Sequence, residues 1–530
     1  MRKIAKASTI TVMVAALVGC SSGEQSARQP AASAQAGGQS QNVASSAEYA
    51  GQNQLAAQPK SAARHGRAPY HGMADSAHMY RQPPQAGPDA MTFKNYGTNP
   101  FISTDEDNLS TFAADVDTGS YTLTRSYIQD GALPPADAVR TEEFINYFPA
   151  SYPAPKQQTF GIQVDGGPSP FGPGYQLVRI GIKGKEVAPE NRKPAHLVFV
   201  IDVSGSMERE DRLELVKRSL RVLVDQLQPE DTVGIVVYGS QGRVILDPTS
   251  AENRQAILSA IDSLTPEGST NAKEGLLLGY EMANRSYKRG AINRVILCSD
   301  GVANVGETRA SGILRSIEDY ARKDIHLSTF GFGMGNYNDV LMEQLADKGE
   351  GQYAYIDSFS EARRVFTEAL TGTLQTIARD VKIQVEFDPA AVDRYRLIGY
   401  ENRDVRDEDF RNDRTDAGEI GAGHTVTALY EVKVKNGAAG KLGDVRIRYQ
   451  NVSSQKVEEV SKPVTVQAKL SGELQFLAAV AEFAEILRES YWAKDSSLRD
   501  VLKLAESSAA REEQLEFVRM VKDSIAIRGD

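Results

Sequence analysis

The sequence predicts an α/β protein in which a doubly wound, mostly parallel sheet is inserted in a β-sandwich, with a helical segment ahead of it and helices at the carboxyl end. Three observations predict it. Between 195 and 378, apolar runs of strand length alternate with amphipathic helical stretches, the pattern of parallel strands joined by crossover helices. On either side, 159–184 and 381–467 switch to alternation of apolar and polar residues, which marks strands. Beyond 470 the apolar positions recur at steps of three and four, and the chain reads as helix to 527.

Within the inserted region, Leu197 to Ile201 is an unbroken apolar run rich in β-branched types, a strand buried on both faces. A polar, glycine-containing turn follows, and then a helix with Leu213, Val216, Leu220, Leu223 and Leu227 on one stripe. Further strands are predicted at 232–238, 243–246, 293–298, 325–331 and 352–356, with 243–246 as an antiparallel edge. Helices are predicted at 209–228, 251–264, 271–288, 308–323, 337–348 and 359–378. Cys298 falls in a buried strand as a small apolar filler.

The flanking alternation is carried by Phe160, Ile162 and Val164, then Val178, Ile180 and Ile182. It resumes at Val381, Ile383, Val385 and Phe387, and continues at Val432 and Val434, at Val445, Ile447 and Tyr449, and at Val464 and Val466. Two strands alone are marginal, so 159–184 is expected to pair with 381–467 across the insertion. The carboxyl-terminal stripes, Leu474, Leu477, Val480, Phe483 and Leu487, then Leu515, Val518, Val521 and Ile525, are expected to pack on that sandwich.

Chemistry concentrates where the first inserted strand ends. Asp202, Ser204 and Ser206 alternate along the strand-to-helix turn, at the carboxyl end of a central parallel strand, where open α/β sheets place ligands. Gly268-Ser269-Thr270-Asn271 supplies a second hydroxyl-bearing loop, and Cys298-Ser299-Asp300-Gly301 ends another buried strand in a carboxylate. Carboxylate and hydroxyl oxygens without imidazole or thiolate suit magnesium (Mg2+), calcium (Ca2+) or manganese (Mn2+) rather than zinc or copper.

In that order, Asp202-x-Ser204-x-Ser206, Thr270 and Asp300 resemble the metal-ion-dependent adhesion site of the von Willebrand factor type A domain. The resemblance implies direct ligation by Ser204, Ser206 and Thr270, with Asp202 and Asp300 acting through water, and Mg2+ as the ion. An ion under-neutralised in this way would keep an open position for an Asp or Glu carboxylate of a protein partner. Ser269 stands where many members have a second glycine, which bears only on the flexibility of that loop.

The amino terminus has its own chemistry. Arg2, Lys3 and Lys6 precede an apolar run, Ile10 to Val18, too short for a stable span. Leu17-Val18-Gly19-Cys20 resembles a bacterial lipobox, which implies cleavage before Cys20 and its lipidation; Ser21 resembles the outer-membrane sorting class. Residues 20–94 then read as a disordered Ala/Gln/Ser/Gly tether, too poor in apolar groups to fold. Its reach is roughly 45–50 Å. His65, His71 and His78 lie in it at spacings that match no compact metal site.

Residues 95–158 form an amino-terminal helical region, with helices at Ser120–Asp130 and Ala136–Phe148. Asp117-Thr118-Gly119-Ser120 matches the aspartic-protease tetrapeptide, but the second carboxylate loop that chemistry needs is missing. The expected role is a helix start, with Asp and Ser capping amides. The segments around Asn99-Pro100-Phe101, Ala114 to Tyr121 and Glu142 to Pro149 resemble the amino-terminal region of bacterial lipoproteins carrying a type A domain, and the carboxyl end resembles that family's uncharacterised region. The domain division expected is therefore 1–19 signal peptide, 20–94 tether, 95–158 helical, 159–194 β segment, 195–378 type A, 379–468 sandwich and 469–530 helical.

A formal net charge of −10 gives no basic footprint for nucleic acid. Two cysteines make no disulfide framework. The function these features imply is a lipid-anchored envelope protein, most simply on the outer membrane facing the periplasm of a Gram-negative bacterium, that captures an acidic partner group through a divalent ion. An envelope scaffold with a structural metal is the alternative. A metal-dependent hydrolase fits less well, because no histidine or free carboxylate base stands in these loops: His196 precedes the first strand and His326 begins another, so both point away from the metal edge.

Overall fold

The computed structural model describes residues 91–301, 307–335, 337–435 and 440–529. The signal segment, Cys20, Ser21 and the tether histidines lie outside the described residues. Three sheets organise the rest. A six-stranded sheet runs in the order Tyr353–Ile356, His326–Phe332, Ile292–Ser299, Ala195–Asp202, Thr232–Tyr238, Gly242–Ser250. All neighbours are parallel except the last, which is antiparallel to Thr232–Tyr238, as the sequence predicts.

The run from Leu197 to Ile201 shows why this sheet is central. Alternate side chains point to opposite faces of a strand. Leu197, Phe199 and Ile201 enter one core with Val216, Leu220 and Leu223 of the following helix, while Val198 and Val200 enter a second core with Leu276, Tyr280 and Leu345. Both faces are covered by helices, so every residue of Ala195–Asp202 is buried. Cys298 belongs to the first core, and burial pushes its thiol well up, which suits the filler role.

The other two sheets form the sandwich. One has the order Ile102–Ser103, Val392–Ile398, Thr425–Val434, Gln176–Gly184, Phe160–Pro168. The expected pairing across the insertion is present: Ile180 faces Ala428 and Val178 faces Tyr430, antiparallel. The second sheet joins Gly418–Gly421, Thr376–Phe387, Lys441–Asn451 and Val457–Thr465. Between them lie Val178, Ile180, Ile182, Val426, Tyr430, Ile383, Val385 and Ile447. The outer face of the first sheet offers Leu177, Ile398 and Leu429 to helix Gly472–Leu487, whose Phe483 packs against Phe144 and Phe517.

Several local expectations are corrected. The region 95–158 is not purely helical, because Leu109–Ala113 adds to the edge of Thr376–Phe387 and Ile102–Ser103 to that of Val392–Ile398. Such short strands take their structure from a distant partner rather than from their own pattern. The helix expected at Ala136–Phe148 is a 3-10 turn, Ala136–Ala138, and a separate helix, Thr141–Tyr147. The one expected at 209–228 begins with a 3-10 turn and a π turn, Glu210–Glu214, before Leu215–Val224.

At the domain's end, the helix expected to 378 stops at Leu374, since Thr376 and Ala378 are already paired with Gly421 and Ile420. Of the last expected stripe, Val518 and Val521 are buried in helix Glu512–Arg528, joined by Phe517 and Met520, whereas Leu515 is 49% exposed. The capping reading of the Asp117 tetrapeptide is also wrong. The amide of Ser120 donates to Glu143, whereas Asp117 accepts the amide of Tyr353 on the edge strand of the six-stranded sheet. No helix of the described residues is long and apolar enough to cross a membrane.

Candidate metal centre

At the carboxyl rim of the six-stranded sheet the chain leaves the strand at Asp202 and turns back on itself. Asp202 is fully buried, and its Oδ1 accepts the amide of Ser204 at 2.8 Å. Its Oδ2 accepts the hydroxyl of Ser299, from the neighbouring strand, at 2.9 Å. Ser299 was legible only as part of the Cys298–Gly301 tetrapeptide, and nothing in its spacing marked it as a partner of Asp202.

The turn places the two serine hydroxyls side by side, with Ser204 Oγ and Ser206 Oγ 3.0 Å apart. Ser204 is buried and Ser206 exposed, so the pair opens to solvent on one side. Asp300 reaches the Ser206 hydroxyl from the next strand end. The third loop is joined through its backbone: Gly205 N donates to Gly268 O at 3.1 Å, and Asn271 N to Gly239 O at 2.9 Å. Gly268 adopts φ +65, and an added Cβ would strike the Ser240 hydroxyl, so glycine is required for this close approach. Thr270 follows two residues later, half-buried, on the same rim. Four of the five predicted residues are thus linked by hydrogen bonds, while the loop that carries Thr270 is tied to the same rim through the backbone of Gly268 and Asn271.

Electrostatics set the site's capacity. Burial, and then the charge of Asp300, push the Asp202 carboxyl up to about 6, against the pull of the Ser204 and Ser299 donors. Burial likewise raises Asp300, opposed chiefly by Arg212. Arg212 was not foreseen. Its guanidinium contacts Asp300 and donates to the carbonyl of Ser206 at 2.8 Å.

The residues fit a small, hard divalent ion. Two oxygens bound at right angles and about 2.1 Å from Mg2+ stand about 3.0 Å apart, which matches the serine pair. Among the described residues no group of three or more His, Cys, Asp or Glu could hold a metal, so a site here depends on hydroxyls. Asp202, Ser204, Ser206, Thr270 and Asp300 are the residues that would hold the ion, which would supply a Lewis-acidic position for an external oxygen. His196 bonds Thr232 and His326 contacts Asp324, both at the opposite, amino edge of the sheet.

The fold is that of a von Willebrand factor type A protein, and residues 196–368 match the von Willebrand factor type A domain family. Residues 88–179 match a family described as von Willebrand factor, and 372–527 match the family described as uncharacterized protein YfbK, C-terminal. The chain is 36% identical to uncharacterized protein YfbK of Escherichia coli (strain K12) over 82% of its own length and 81% of that protein, and it belongs to that protein's family. It is 28% identical to human inter-alpha-trypsin inhibitor heavy chain H3 over 49% of this chain and 30% of that one. Among solved structures, von Willebrand factor type A from Catenulispora acidiphila aligns at TM-score 0.44 and 16% identity, covering 71% of this chain and 91% of that chain.

Proposed function

We propose that this protein is a lipid-anchored cell-envelope binding protein that captures an Asp or Glu carboxylate of a protein partner through a divalent ion, Mg2+ or in its place Ca2+ or Mn2+. The ion would be held by Ser204, Ser206 and Thr270, with Asp202 and Asp300 behind them. One observation supports the reading above others: two serine hydroxyls at coordination spacing stand beside a buried carboxylate whose partners are an amide and a hydroxyl rather than a cation. The anchor at Cys20 and an outer-membrane, periplasm-facing location rest on the lipobox-like Leu17 to Cys20 and on Ser21.

Calorimetric titration of Mg2+ into the wild type and Asp202→Ala, with and without envelope extract, tests the binding role. Ion uptake with metal-dependent capture by the wild type alone is the expected result. Uptake without capture supports the scaffold, and turnover of a chromogenic ester or peptide supports a hydrolase. Metabolic labelling with palmitate tests the anchor: label on the wild type and none on Cys20→Ala is expected.

A further inference from the structure

Arg212 sits in the π turn Glu210–Glu214 and is 7% exposed. A π turn adds a residue to one turn of helix and so re-aims what it carries; such turns recur at functional sites. Here it aims a guanidinium at the rim. One nitrogen donates to Asp300 and to the Ser206 carbonyl, the other to the carbonyl of Met334. Three loops, from three different strands, converge on this one side chain.

The fold makes room for it. Gly333 has φ +73, and a Cβ there would lie 2.4 Å from Arg212 Cγ. A backbone position open to glycine alone therefore lines the slot that holds the arginine stem. The other cationic residues near the turn, Arg209 and Lys217, are paired with Asp211 and Glu214. Arg212 is the one among these that touches a predicted ligand.

We propose that Arg212 is a specificity-determining residue of the rim: by holding Asp300 and placing a fixed positive charge behind the ion, it makes the loaded site prefer an anionic carboxylate over a neutral oxygen ligand. The inference rests on the metal-binding reading above. Formally, two carboxylates and a divalent ion sum to zero, so the guanidinium leaves the assembly with one positive charge. That charge repels the ion and attracts a carboxylate. Its removal therefore shifts the two affinities in opposite directions, which loss of a merely structural contact does not do.

The test titrates Mn2+ into the full-length wild type, Arg212→Met, Arg212→Gln and Arg212→Lys, followed by calorimetry and water-proton relaxation. Acetate and its neutral isostere acetamide are then added to each loaded protein. The expected result is acetate preference in the wild type and in Arg212→Lys. In Arg212→Met and Arg212→Gln, Mn2+ binds at least as tightly while acetate affinity falls on the order of tenfold, and acetamide is unchanged. Gln keeps a donor for the loop carbonyls, so it reads the charge even where Met fails to fold. Unchanged acetate affinity in a folded neutral variant, or a parallel loss of Mn2+ and acetate, overturns the assignment while leaving the metal reading standing. A wild type that takes up no Mn2+ overturns both.

Discussion

At the junction between the type A domain and the amino-terminal segment, Asp115, Glu343 and Asp347 surround one guanidinium, that of Arg403, at 2.9, 3.2 and 2.9 Å. Arg140 joins Glu143 to Asp339 nearby, and Arg125 holds Asp357 through two bonds, 2.6 and 2.7 Å. At the rim, by contrast, Asp202 is also buried, and its partners are neutral donors, the Ser204 amide and the Ser299 hydroxyl among them. Both regions withdraw carboxylates from water, which is costly unless they are neutralised. At the junction the neutralising charge is built into the fold, and those acids fasten one part of the chain to another. At Asp202 it is not, and on the proposed reading an external cation would supply it.

This contrast is broken or sharpened by three measurements. The largest effect is expected for Arg403→Met, which strands the buried Asp115 and Glu343 in the junction; breaking a buried pair costs about 3–5 kcal/mol. Chemical denaturation reads it, and a loss below about 1 kcal/mol would mean that solvent already screens these charges. Next, a ligand at one hundred times its Kd stabilises the folded state by about 2.7 kcal/mol. Saturating Mg2+ should do so for the wild type and not for Asp202→Ala, as read by a thermal shift; equal shifts would place the ion elsewhere.

The smallest effect concerns Glu142, which accepts the amide of Tyr400 at 3.0 Å. Burial, then the charge of Glu401, push its carboxyl up to about 7. The folded chain thus binds this proton more tightly than the unfolded chain, so stability falls as pH rises from the ordinary glutamate range through about 7. Glu142→Gln keeps an acceptor and removes the titration. It should be more stable than wild type by on the order of 1 kcal/mol at pH 8, with the difference vanishing near pH 4. A variant that is destabilised at every pH would assign Glu142 to the charge-fastened class instead.

Much of this could be read from the chain because its patterns are local. The strands of the inserted sheet follow from short apolar runs that alternate with helical stretches, and the pairing of 159–184 with the later strands from a period of two and from the need of a lone hairpin for partners. The rim loops were legible because Asp202, Ser204 and Ser206 lie within five residues of one another, at a strand end. Where reading failed, the deciding partner was distant. Leu109–Ala113 is a strand because Thr376–Phe387 offers it an edge. Ser120 is capped by Glu143, not by its own tetrapeptide.

Arg212 is the sharpest case. In sequence it is an ordinary charged residue beside Leu213, on a helix whose apolar stripe says nothing of it. Only the π turn, the slot beside Gly333 and the meeting of three strand ends make it part of the rim. The sequence alone determined which faces are apolar, because burial follows from side-chain type and backbone period. Tertiary structure decided which charges meet, because a contact across eighty-eight positions depends on how independently formed elements pack. No local spacing encodes that.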